Sequence, residues 1–400
     1  MSQFFDSKVF NPEVFGKYVE NIPNVKKSEL AKSRALGSNE NARKALATQT
    51  GSLYARVPYF GRISADTSQN NDGNTDIQAS KLPTFDQGFV VASRMNSWTE
   101  KSFSKNITAG VDFMDNVGAQ IAEYKIQVIQ KIMLKMLAGI YAMDTTADTV
   151  RGHAAKDFVE KHTYDSSNVT GVSPTALNTA IQKACGDNKS IIKLAIMDST
   201  TATDLENQNL LNMLKYTDKD GITRDLTLGT WNGRLVLVDD DMPVTIAEAT
   251  YAKTSDVALV PGKKYFTRSG SAGHYVYTEV ETPDVTDIGS YYEITSGGYE
   301  VHTTYLLGEG SIVVDPIPDS VPYEIYREPL SKGGEDYLIV RDRYICGFES
   351  FSFEMTSGVG VSATNDDLAN GENWAVINNG TEAIPTKSIA IARLFTRGNN

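Results

Sequence analysis

The sequence predicts an α+β fold, and three observations lead there. One stretch, 112–142, carries a sustained helical apolar period. The runs that read as strands gather elsewhere, above all from 304 to the end. Between 245 and 303 the composition shifts to tyrosine, glycine, serine and threonine with no helical period, which predicts a β-rich module inserted into a larger domain. At 400 residues the chain exceeds one compact core, so two or three domains are expected.

Residues 1–50 read as an arm. Asn11-Pro12-Glu13 starts a short helix with Val14, Phe15, Tyr18 and Val19 on one side. SELAKSRALGSNENARKALATQT forms a second helix, but Leu30, Leu36 and Leu46 are too sparse to build a core. Such a segment orders only against a partner surface. LYARVPYFGRIS (53–64) and KLPTFDQGFVVASRM (81–95) read as strands joined by a long polar stretch, with Asn71-Asp72-Gly73 as its turn. Residues 51–95 therefore form an extended hairpin. Its aromatic base (Tyr54, Tyr59, Phe60, Phe85, Phe89), with Arg62 and Lys81, is expected to contact a neighbouring subunit.

In 112–142, Phe113, Met114, Val117, Ile121, Tyr124, Val128, Ile132, Met136 and Ile140 recur at three- and four-residue steps. Ile129, Met133 and Leu137 widen the face, and a polar stripe runs through Asn116, Gln120, Glu123, Gln127 and Lys131. At 1.5 Å per residue the helix is roughly 45 Å long, a spine for other layers to pack on. A mixed region follows. Ser173-Pro174-Thr175 caps a helix to about Cys185, IIKLAIMDS (191–199) is a buried strand, and TATDLENQNLLNML is a helix. Asn232-Gly233 turns a hairpin into a strand at 234–238, residues 304–315 resume this character, and 388–395 alternate as a half-buried strand.

The balance of 38 basic against 50 acidic residues gives a net charge of −12 with no dense basic run, which argues against sequence-specific DNA binding. Cys185 and Cys346 have no partner spacing for a disulfide framework or zinc site, and no apolar stretch is long enough to span a bilayer. The start lacks the pattern of a signal peptide, so synthesis in the cytoplasm is expected. Asp239-Asp240-Asp241 lacks the ligand spacing of a calcium loop, and His153, His162, His274 and His302 show no zinc spacing. Gly358-Val359-Gly360 lacks the third glycine of a dinucleotide loop, and no Gly-x-Ser-x-Gly occurs. No enzyme activity, cofactor or metal is expected.

Near the C-terminus, Thr364 stands three residues before Asp367, the spacing of a capping box on a one-turn helix. Asn370-Gly371 is expected to end that turn in the left-handed conformation, and Trp374 to anchor the chain that follows. This reads as a structural clasp.

Five runs, in order, carry a resemblance: PYFGRISAD (58–66), the segment RMNSWTEK through MLAGIYA (94–142), LVLVDDDMPV (235–244), GFESFSFEMTSG (347–358) and DDLANGENW (366–374). Together they resemble the coat proteins of Gram-positive siphophages, a Bacillus phage coat-like family of tailed-phage major capsid proteins with the Hong Kong 97-type fold. The resemblance implies an N-terminal arm at 1–50 and an extended loop at 51–95. It implies a peripheral domain at 96–190 with the C-terminal strands returning to it, an axial domain at 191–244 and 304–350, and C-terminal strands and clasp at 351–400. It further implies a homo-oligomer of pentamers and hexamers in an icosahedral shell, synthesised in the bacterial host cytoplasm and located in the virion capsid. The implied partners are a scaffolding protein, a portal protein, a decoration protein and packaged double-stranded DNA held by proximity, with no membrane. The resemblance is silent on the 245–303 insertion. A tail or surface-layer protein, or a carbohydrate-binding module centred on the insertion, are the alternatives.

Overall fold

The computed structural model describes residues 35–48, 53–61, 63, 68–79, 82–101, 113–217, 223–271, 274–330 and 334–398. Arg62, Lys81 and the helix expected near Asn11 lie outside them.

Along the chain, β1 (Leu36–Gly37) and α1 (Glu40–Thr48) precede a ribbon of β2 (Tyr54–Phe60) and β3 (Thr84–Lys101). The spine helix α2 (Phe113–Tyr141) follows, then α3 (Val150–Lys161), β4 (Thr163–Thr170) and α4 (Ala176–Cys185). Next come β5 (Ile192–Met197), α5 (Ser199–Asn207), β6 (Leu211–Thr217), β7 (Thr223–Trp231), β8 (Arg234–Val238) and β9 (Val244–Ile246). The insertion holds β10 (Thr250–Lys253), β11 (Tyr265–Ser271), β12 (His274–Val280) and β13 (Tyr292–Ser296). The chain closes with β14 (Glu300–Gly308), β15 (Ile312–Ile317), β16 (Tyr323–Glu328), β17 (Glu335–Phe348), β18 (Phe351–Phe353), α6 (Asn365–Ala369), β19 (Trp374–Val376) and β20 (Ile391–Arg397).

Two large sheets result. One runs β4-β20-β14-β5-β8-β7-β6 with β9 beside β14, and the other β1-β15-β17-β3-β2 with β16 beside β17. The second half of α2 joins them. Ile132, Met133, Met136 and Ile140 share one core with Val90, Ala92 and Phe348 of the second sheet and with Leu194, Ile196 and Leu307 of the first. This is why the helix, polar on one stripe through Lys131, is apolar on nearly every side beyond it. The opposite face of the first sheet is covered by α4, whose Leu177, Ala180, Ile181 and Ala184 pack with Met197, Trp231 and Leu394.

Local chemistry sets the boundaries. Thr149 caps α3 and Asp198 caps α5 through side-chain oxygens that accept from backbone N–H groups. Asn232 and Gly233 both take positive φ (48° and 78°), as a tight hairpin turn needs. Two expectations are corrected. The helix after Ser199 stops at Asn207, because Asn209 takes a positive φ of 55° and the following Leu211 begins a strand. The segment 40–48 orders without a neighbour: the Asn39 side chain accepts from Ala42 N–H, and Ala42 and Leu46 pack on Phe89, Val91 and Ile345 of the same chain. Few apolar residues suffice because the surface they meet is already flat and apolar.

His162, buried where α3 meets β20, donates from Nδ1 to the Ile391 carbonyl at 2.6 Å. Burial pushes its pKa down to about 4 against the opposing hydrogen bond to Ile391. The unfolded chain takes up this proton near pH 6.5 and the folded chain does not, so the contribution is complete above that pH and is lost on acidification toward pH 4. The loss reaches about 3 kcal/mol. Urea unfolding of wild type and His162→Gln between pH 7 and pH 4 should show this slope only in the wild type. Parallel slopes would contradict the assignment.

Candidate assembly surfaces and the clasp beneath them

The clasp is built around α6. Thr364 Oγ1 accepts from the Asp367 N–H at 3.1 Å, and Asp367 Oδ2 accepts from the Thr364 N–H at 2.9 Å, a reciprocal capping box. The expected left-handed ending is not there. Asn370 has φ −78° and ψ 118°, and its side chain accepts from the Glu372 N–H at 3.0 Å, starting a 3-10 turn over Gly371–Asn373. Gly371 is needed for a different reason: a Cβ there would overlap the carbonyl of Ala142, just past the end of α2. On the same helix, a Cβ at Gly139 would overlap the Leu368 carbonyl and the Trp374 indole. Trp374 fills this junction, fully buried. Its Nε1 donates to the Leu368 carbonyl at 2.8 Å, and its ring meets Phe348 and Phe353 edge-on, each at 5.1 Å.

The ribbon roots on the same junction. β2 and β3 pair antiparallel from Tyr54↔Val90 to Phe60↔Thr84. Tyr54 donates its hydroxyl hydrogen to the Phe353 carbonyl at 3.0 Å, and Gln87 donates to the Phe351 carbonyl at 3.3 Å. A Cβ on Gly88 would overlap the Phe353 carbonyl, so β18 crosses directly over the ribbon. The aromatic base therefore divides. Phe85 and Phe89 are buried in the chain's own core and are not available to a neighbour, which corrects their place in the expected contact set. Tyr59 is half-buried against Phe85, while Phe60 is 65% exposed. Three exposed apolar side chains were missed from sequence: Ile63, Ile77 and Leu82 flank or lie within the polar stretch. Single apolar residues in a polar run give no period to detect. Tyr59, Ile63, Leu82, Ile191, Ile384 and Lys387 line a groove of ≈ 970 Å³ where the β2–β3 pairing ends. In the turn, Asp72 accepts from the N–H groups of Asn74 and Thr75, bonds that hold its carboxyl below the usual range.

The aspartate triplet is absorbed by structure. Asp239 accepts from Gln130 of α2 at 2.8 Å in a buried contact, and Asp240 accepts from the Ser199 N–H at 3.0 Å. Among the described residues, no group of three His, Cys, Asp or Glu side chains is placed to hold a metal ion.

A family model described as Gp13-like, major capsid protein 13-like, matches residues 39–283. The chain belongs to this family. It is a major capsid protein of a tailed phage and forms the capsid shell. The chain is similar to the major capsid protein of Bacillus phage SPP1, with 24% identity over 369 residues covering 92% of each chain. Among solved structures it aligns with the capsid of cyanophage Pam1 (9% identity, 95% of this chain and 94% of the other, TM-score 0.48). It also aligns with the capsid of Ralstonia phage GP4 (10% identity, 92% and 91%, TM-score 0.47).

In this Gp13-like capsid protein the family-like runs are thus mainly internal fastenings. The runs 347–358 and 366–374 hold β18, α6 and β19 at the junction with α2, and 235–244 is tied to α2 where Asp239 meets Gln130. Among the large apolar side chains exposed on the ribbon and its connection are Phe60, Ile63, Ile77 and Leu82, with Met95 further along β3.

Proposed function

We propose that the ribbon β2–β3 is the arm by which each subunit lies over its neighbour. In this reading pentamers and hexamers tile a closed icosahedral shell around packaged double-stranded DNA. The observation that carries it is the contrast along one ribbon: a root locked to β18 through Tyr54, Gln87 and Gly88, and beyond it apolar side chains left about half-exposed or more. Large apolar side chains left exposed on a rigid base mark a protein contact surface. Unlike surfaces repeated around a ring give closed heterologous assemblies. The first sheet and its insertion form the axial part, and α2 with the clasp the peripheral part. Assembly occurs in the host cytoplasm on a scaffolding protein, with a portal at one vertex and a decoration protein outside. DNA lies nearby without sequence-specific contacts, and the chain has no catalytic role.

Phe60→Asp tests the arm. The monomer's unfolding free energy should stay within about 0.5 kcal/mol of wild type, as for other surface changes, while electron microscopy of the expressed chain shows few or no closed shells. Normal shells from Phe60→Asp would remove the arm from the interface.

A further inference from the structure

We infer that the inserted module joins neighbouring copies of this chain front to back. The proposal rests on the shell-forming arrangement above and adds a second surface to it. The sheet β10-β13-β11-β12 has two unlike faces. On the front, Tyr251 and Tyr277 stack at 3.9 Å, Tyr251 meets Phe266 edge-on at 5.2 Å, and Tyr277 meets Tyr292 edge-on at 5.4 Å. The Arg268 guanidinium lies over Tyr275 at 4.2 Å and Tyr292 at 4.6 Å. Tyr251 and Tyr277 thus cover one face of each other, and Arg268 lies over one face of Tyr275 and of Tyr292. Edges, hydroxyls and the cation remain on show, with Tyr275 42% and Ile294 38% exposed. A surface of tyrosine, arginine and isoleucine has the composition of a protein contact.

Behind Tyr265 and Glu293 the back is covered by the connection 254–264, which is tied to 281–291. Tyr265 Oη accepts from the Val260 N–H and donates to Asp256, both at 3.0 Å, and Lys263 bridges Asp256 and Glu293. The Thr254 N–H donates to the Tyr291 carbonyl at 2.9 Å, tying the two connections together. With its polar groups turned inward, the first connection presents an apolar knob: Val257 is 95% exposed, Leu259 39% and Val260 45%. On the second connection Val285 is 62% exposed between Asp284 and Asp287.

Front and back complement each other. In this contact the apolar knob meets the aromatic surface, and the acids of the second connection, Asp284 and Asp287, meet Arg268 and Lys253, the register partner of Tyr292. Because the two surfaces lie on opposite sides of one module, their contact is heterologous and propagates from copy to copy around a ring. A knob already held in shape loses little entropy on docking. The occupant of the front is thus the back of a second copy.

Cysteine pairing in the full chain tests this. The double variant Val257→Cys with Tyr275→Cys, and a second with Val257→Cys and Ile294→Cys, are assembled and treated with a short bis-maleimide. The native Cys185 and Cys346 are buried, with thiols pushed up to about 11 and 12 by burial, and give no background. At least one pair should move most chains into a ladder extending beyond dimers on a denaturing gel, while each single variant stays monomeric. Intact shells that yield only monomers with both pairs would overturn the contact. Dimers from Val257→Cys alone would overturn it too, since they mean knob against knob. An unmodified chain that forms no shells at all overturns the shell reading itself, and this contact with it.

Discussion

Gly371→Val should yield a chain that is largely insoluble and forms no shells. The Cβ of any side chain at this position overlaps the backbone carbonyl of Ala142, and neither partner is a flexible side-chain end that could swing away. The 3-10 turn from Gly371 would have to lift from the end of α2, taking Trp374 out of its pocket. The expected loss is upwards of ~4 kcal/mol, the exceptional end for a single substitution. Gly371→Asn separates this explanation from a backbone-conformation one. Asparagine tolerates a left-handed turn, so it would be benign if positive φ were the requirement. Because φ is not the constraint here, Gly371→Asn should be as damaging as Gly371→Ala or worse, measured as soluble yield and urea midpoint. An asparagine variant of wild-type stability would restore the left-handed reading.

Trp374→Ala should destabilise the chain by about 3–5 kcal/mol, the usual range for removing a large buried aromatic. The indole joins Phe348 and Phe353 from the two strands flanking the 348–353 bend and hydrogen-bonds the Leu368 carbonyl. Its removal opens a cavity where three segments converge. Trp374→Phe keeps most of the ring contact but leaves the Leu368 carbonyl without its donor, for a loss of about 1–3 kcal/mol. Equilibrium urea unfolding of the two variants should therefore rank alanine well below phenylalanine. If Trp374→Ala unfolds within ~1 kcal/mol of wild type, the junction is held by something other than the clasp.

Much of this architecture was legible in the residues, and the illegible part has a common cause. The spine helix announces itself because three- and four-residue spacing is a local property, and it appears at Phe113–Tyr141. The capping box is equally local: three residues separate Thr364 from Asp367, and the two side chains meet. The strand content of the insertion follows from its tyrosine, threonine and glycine composition. What failed depends on approach between distant segments. Nothing near Gly371 tells that Ala142 will sit against it, so the nearest local motif, a left-handed cap, stood in for the true constraint. Phe85 and Phe89 look like Phe60 in sequence, yet β18 and α1 cover the first two and leave the third bare. The helix after Ser199 was drawn too long because Leu210, Leu211 and Leu214 continue a plausible apolar stripe. The backbone reversal at Asn209 is the event that stops it.

One strand gives the molecule a mechanical character. β14 starts beside β9 at the foot of the insertion, with Glu300 opposite Ile246, and continues as an interior strand of the first sheet. There it is flanked by seven register pairs to β20 and four to β5. A pull on the insertion along this strand is delivered as shear, so the hydrogen bonds on both sides resist together instead of peeling one at a time. The insertion is in effect a handle riveted to the stiffest plate of the subunit. Tension gathered at the periphery of one copy reaches the middle of its sheet through a single continuous length of backbone.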